Sequence, residues 1–136
     1  MTEKLTHGAH HIGLTVPDLD QARAFFCGVL GFDEAGGVPA YPAIFVTDGL
    51  ILLTLWRAAD PLTARAFDRR ANIGLHHLSL AVRDDAALNV VWEKVSTHPE
   101  VIVDFPPGPI GPGSATRHFL VFIPGGIRIE FATPFA

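Results

Sequence analysis

The feature that most constrains this chain is an internal repeat. His10-His11-Ile12-Gly13-Leu14-Thr15-Val16 is followed by Pro17-Asp18-Leu19-Asp20, and His76-His77-Leu78-Ser79-Leu80-Ala81-Val82 by Arg83-Asp84-Asp85. Each run has apolar residues at every second position, the period of a half-buried strand, and ends in a polar turn. A helical pattern follows each. Residues 19–30 gather Ala22, Phe25, Phe26, Val29 and Leu30 on one face, with Asp18 as N-cap and Gly31 as stop. Residues 85–95 repeat this with Ala87, Leu88, Val91, Trp92 and Val95.

Three short strands are expected after each helix. In the first half they fall near residues 32–36, 43–47 and 50–56, the last two joined by Asp48-Gly49. In the second they fall near 101–105, 118–123 and 127–132, the last two joined by Pro124-Gly125-Gly126. The order βαβββ therefore occurs twice, an α+β class with module one at residues 1–57, a linker at 58–74 and module two at 75–136. Neither module buries its apolar face well alone, so one structural domain with a shared concave surface is expected. The linker is expected to hold a short helix through 63–70. Phe105-Pro106-Pro107-Gly108-Pro109-Ile110-Gly111-Pro112-Gly113 excludes a helix or interior strand and reads as a surface connection or, less readily, a lid.

Composition narrows the function classes. With 136 residues, 49% hydrophobic and 18% charged, the chain can build a core and is not disordered. A net charge of -4 without a basic cluster gives no reason to expect a nucleic-acid partner. The lone Cys27 excludes an internal disulfide and suits a reducing compartment. The polar start, residues 1–8, has no apolar core of a targeting signal, and no apolar run would span a membrane; a cytoplasmic protein is expected.

The run from His11 to Asp20, the segment Ala24-Phe25-Phe26-Cys27-Gly28-Val29-Leu30-Gly31-Phe32 and the closing Ile123-Pro124-Gly125-Gly126-Ile127-Arg128-Ile129-Glu130 together resemble the vicinal oxygen chelate superfamily. That superfamily includes glyoxalase I, bleomycin-resistance proteins, extradiol dioxygenases and fosfomycin-resistance enzymes. The resemblance covers nearly the whole chain and implies metal ligands on the first and last strands of each module. Those positions are His11, His77 and Glu130, while Leu52 stands where a fourth ligand is expected in module one.

Two imidazoles and a carboxylate suit a divalent metal, Fe(II) or Mn(II) first, with Zn(II) or Ni(II) as alternatives. No organic cofactor is implied. Such an ion leaves positions open for a small substrate with vicinal oxygens. Three ligands instead of four favour an extradiol dioxygenase-like enzyme. The alternatives are a lactoylglutathione lyase-like isomerase and a metal-free, bleomycin-resistance-like binding protein. Glu130 lies in an apolar strand, where an unpaired carboxylate is costly, so it needs a partner, and a metal is the leading one.

His118 shares a strand face with Leu120 and Phe122, which the resemblance places in the cavity, and is a candidate acid or base. The tyrosine typical of dioxygenases and fosfomycin enzymes is replaced by Leu120. Arg117 and Arg128 are candidates for an anionic substrate group, Arg128 also for pairing with Glu130. His10 and His76 are read as structural residues on the opposite face, His7 and His98 as surface residues. Cys27, Trp56 and Trp92 read as packing residues. Relatives of this length imply a homodimer whose partner chain completes the cavity.

Overall fold

The computed structural model describes residues 2–136; Met1, the first residue of the polar start, lies outside them. The chain divides into two compact units, residues 1–64 and 65–136. Each carries the element order read from the repeat, so the class is α+β.

In the first unit β1 (Ile12–Val16) leads into α1 (Leu19–Arg23), then β2 (Asp33–Val38), β3 (Ala43–Thr47) and β4 (Leu52–Arg57). The sheet order is β1-β4-β3-β2, with β1 parallel to β4 and the remaining pairs antiparallel. Asp18 caps α1 as expected, its carboxylate accepting from Gln21 N–H at 3.0 Å. The helix changes character at Ala24 and runs to Val29 as a wide π-helical turn. That turn puts Phe25 and Phe26 side by side, ring centroids 5.1 Å apart and both fully buried against the sheet. Gly31 ends the helical segment at φ +78°, a conformation that favours glycine.

The second unit has β5 (Leu78–Ala81), α2 (Asp85–Ser96), β6 (Ile102–Pro109), β7 (Arg117–Ile123) and β8 (Ile127–Ala132) in sheet order β5-β8-β7-β6. Asp84 caps α2 through Ala87 N–H at 2.8 Å. Leu88 and Val95 of α2 are buried, and Trp92 meets Phe119 edge-on at 5.1 Å. Phe119 in turn stacks on Phe131 at 4.9 Å and is fully buried. Strand alternation sends Phe119, Val121, Ile129 and Phe131 into this core and leaves His118, Leu120 and Glu130 on the other face. Phe119→Ala should destabilise the protein by about 3–5 kcal/mol, because the lost transfer energy adds to a cavity between two aromatic neighbours. Chemical denaturation of both proteins measures this; a loss under about 1 kcal/mol would mean that the ring does not organise the core.

Three expectations are corrected. The linker forms no helix between 63 and 70. Asp60 accepts from Leu62 N–H, and Asp68 from Arg70 and Ala71 N–H, so short acidic side chains hold the backbone in turns. The Pro/Gly run is not all connection, because β6 extends through Pro106, Pro107 and Gly108 to Pro109. It can do so because β6 is an edge strand whose register against β7 shifts twice, between Val103 and Phe105 and again before Gly108. Finally, β1 and β5 begin at Ile12 and Leu78, so the histidine pairs precede the strands and are not bound by their alternation. Among the described residues, no helix is long and apolar enough to cross a membrane.

Candidate functional site

The polar face of the second unit's sheet gathers the candidate residues. Ser79 of β5 and Leu120 of β7 flank Glu130 of β8 in the ladder, with His118 one pleat away opposite Ala132. His77 enters just ahead of β5. Two of the three expected ligands, His77 and Glu130, and the expected acid or base, His118, thus converge. They line an open hollow of roughly 650 Å³ together with Arg128, Leu120 and Phe105.

Glu130 is the centre of this arrangement. Its side chain is 9% exposed, and His118 Nδ1 donates to Oε2 at 2.6 Å. The other oxygen, Oε1, lies 3.5 Å from His77 Nε2. Burial works to raise the carboxyl pKa, but hydrogen bonds from His118 and Ser79 and the charges of His77 and His118 outweigh it. The group is held below its ordinary value and stays ionised near neutrality. The buried carboxylate has partners, as expected, and those present are protein groups: His118 and Ser79 donate to it and His77 lies beside it.

The donor set nevertheless fits a cation. Two donors each about 2.1 Å from one ion sit roughly 3–3.5 Å apart, the spacing of His77 Nε2 and Glu130 Oε1. Engagement of Oε2 by His118 holds the carboxylate with Oε1 facing His77. His11 lies in the first unit, its Nδ1 2.9 Å from that of His10. Among the described residues, no cluster of three or more His, Cys, Asp or Glu side chains has a metal-holding arrangement.

Arg128 does not pair with Glu130. Its Nε donates to Asp104 Oδ2 at 2.8 Å, and Arg69 approaches the same oxygen at 3.9 Å. Asp104 lies across the sheet on the bulged edge strand, a partner that no local spacing in the sequence reveals. Arg117 is half-buried at the start of β7, where its backbone N–H donates to Thr133 Oγ1. His76 and His77 bring their Nδ1 atoms to 2.7 Å, so His76 is a neighbour of a candidate ligand instead of a residue of the opposite face.

Strand register also corrects the missing ligand of module one. Ser79 pairs with Glu130 and Gly13 with Thr54, and Ser79 and Gly13 each lie two residues after the second histidine of their pair. Thr54, not Leu52, is therefore the counterpart of Glu130. It is buried, and its hydroxyl accepts from Trp56 Nε1 at 2.9 Å. Trp56, half-buried, also meets Tyr41 and Phe45, so this end of β4 carries aromatic contacts where the second unit carries charge. A hollow of roughly 560 Å³ in the first unit has acidic walls, but Asp18 caps a helix, Asp20 pairs with Arg23 and Asp60 holds a turn.

Residues 8–131 match the family model of the glyoxalase/bleomycin resistance protein/dioxygenase superfamily. The chain belongs to this superfamily. It is 31% identical to a 2-epi-5-epi-valiolone epimerase of Actinomyces sp, over 89% of this chain and 76% of that protein. It is 34% identical to the catechol-2,3-dioxygenase of Bacillus subtilis (strain 168), over 62% of this chain but only 30% of the dioxygenase. A glyoxylase/bleomycin resistance protein/dioxygenase domain from Frankia sp. EAN1pec superposes with a TM-score of 0.75 at 21% identity, covering 94% of this chain and 92% of that one, which establishes the fold.

Proposed function

We propose that this superfamily member is a metal-dependent enzyme for a small substrate with adjacent oxygens, working by proton transfer at carbon. The carrying observation is the buried Glu130 carboxylate, one oxygen held by His118 and the other facing His77 at the floor of a hollow. In this reading His77 and Glu130 hold a divalent ion. His11, which matches His77 in the repeat, is the third ligand, from this chain or from a second copy in a homodimer. A bound ion would supply Lewis acidity, stabilising negative charge on a substrate oxygen.

His118 supplies the proton chemistry. With Nδ1–H donated to Glu130, its Nε2 carries a lone pair that can take a proton from the carbon beside a carbonyl. The imidazolium so formed faces the Glu130 carboxylate, which stabilises it and returns the ring to its starting tautomer when the proton is given back. Longer alignment with an epimerase than with a dioxygenase supports this reaction class, as does a site organised around a histidine–carboxylate pair. Ring cleavage, favoured by the ligand count in the sequence, is the second reading, and the apolar wall of Leu120, Phe105 and Ile110 supports it.

The test uses protein purified without a histidine tag, loaded in turn with Mn(II), Fe(II), Zn(II) and Ni(II). Metal-dependent exchange of carbon-bound protons with solvent deuterium, in cyclic hydroxyketones and hemithioacetals, is the expected result. Oxygen consumption with catechols and no such exchange would replace proton transfer by ring cleavage. Tight binding of a drug such as bleomycin without metal uptake would replace both by a sequestering function.

A further inference from the structure

We propose that His76 is a positioning residue for His77: it holds the His77 ring in the Nδ1–H tautomer and so keeps the Nε2 lone pair available to a cation. This rests on the ion-holding reading above and deepens it. The two Nδ1 atoms are 2.7 Å apart. Two bare lone pairs repel at that distance and two N–H groups collide, so one proton lies between them.

Arg128 indicates which ring owns it. A guanidinium only donates, and Arg128 Nη1 lies 3.5 Å from His76 Nδ1. The side chain is 9% exposed and anchored through Nε to Asp104, so the cation is held beside that nitrogen. A fixed positive group favours a lone pair on His76 Nδ1 and disfavours a proton there. His76 is therefore the acceptor and His77 the donor. His76 is itself exposed, so water meets its Nε2–H.

A His77 ring protonated at Nδ1 presents a lone pair at Nε2, the atom 3.5 Å from Glu130 Oε1. The chain Asp104–Arg128–His76 thus orients the imidazole from behind, as outer partners of metal-binding histidines do. The first unit repeats the ring contact, with His10 and His11 Nδ1 atoms 2.9 Å apart and their rings edge-on, as in the second pair. An adjacent histidine pair directly before the first strand of each repeat is thus a built feature with the same contact twice. The competing pull is from Glu130, which on its own would draw the proton to His77 Nε2.

The experiment reads tautomers in ion-free protein at pH 8 from long-range ¹H–¹⁵N correlations of the histidine rings, alongside Zn(II) calorimetry. Wild-type protein should show His77 as Nδ1–H and His76 as Nε2–H. In His76→Phe, which keeps a ring but no acceptor, His77 should revert to mainly Nε2–H and Zn(II) affinity should fall by about tenfold. His77 found as Nε2–H in the wild type overturns the proposal, as does unchanged Zn(II) affinity in the variant. Wild-type protein with His77 as Nδ1–H that takes up no Zn(II) supports the positioning role and defeats the ion-holding reading. Should the variant fail to fold, the wild-type tautomers still decide.

Discussion

Glu130→Ala should weaken Zn(II) or Mn(II) binding by at least about a hundredfold and abolish turnover. Loss of an outer partner of a metal site costs about 10–100-fold in affinity, and loss of a direct ligand costs more. The charge argument points the same way. Glu130 is the carboxylate of a hollow that also holds His77, His118 and Arg128, so its removal leaves a neutral-to-positive surface that repels a cation. The ion-free fold should suffer far less. The variant loses the hydrogen bonds from His118 and Ser79, but His118 is 19% exposed and can turn to water, so about 1–2 kcal/mol is expected. Calorimetry with the ion, and thermal unfolding in a chelator, separate the two effects. An ion bound as tightly by the variant would remove Glu130 from the site.

His118→Ala should behave differently. Its ring touches Oε2, not the oxygen that faces His77, so ion affinity should drop as for an outer partner, by about 10–100-fold, a loss that saturating metal makes good. Proton transfer, however, loses its base, and kcat should fall by about 10²–10⁴-fold with KM little changed. That split distinguishes a proton carrier from a residue that merely props up Glu130, because saturating metal would restore the turnover that loss of a prop costs. Retention of more than a tenth of wild-type kcat under saturating metal would exclude His118 as the base.

The elements that could be read from the sequence are those whose signals are local. Alternation from Arg117 to Ile123 and from Ile127 to Ala132, the caps Asp18 and Asp84 and the stop at Gly31 all follow from side chains acting within a few residues. The repeat itself located both histidine pairs and, with the closing hairpin, Glu130. What escaped depends on pairing between distant strands. Thr54 replaces Leu52 as the counterpart of Glu130 only once the parallel register of β1 on β4 is seen. Asp104 meets Arg128 because β6 is bulged, and a bulge moves side chains between faces in a way alternation cannot anticipate. The prolines of β6 were correctly barred from an interior strand, but an edge strand admits them.

Alternation put His118 on one face with Leu120 and Phe122 and the family resemblance made that face the cavity, yet its bond to Glu130 required knowing that the two strands pair. The histidine contacts before β1 and β5 were hidden for another reason. Strand periodicity extended back over residues outside the strands places His76 on the face opposite His77, whereas its Nδ1 lies beside His77 Nδ1 and Arg128 Nη1. The chemical difference between the units was hidden by register as well. Glu130 takes a hydrogen bond from His118 on the neighbouring strand, whereas its counterpart Thr54 takes one from Trp56 of its own strand and has Ala43 where His118 would stand, and only the register aligns these positions.

An anomalous difference map from crystals grown with Mn(II) or Zn(II), recorded at the absorption edge of the ion, tests the proposed metal site directly. A peak within bonding distance of both His77 Nε2 and Glu130 Oε1, with His118 still on Oε2, is the expected result. Strong peaks elsewhere on the protein and none between those two atoms, at millimolar metal and neutral pH, would contradict it.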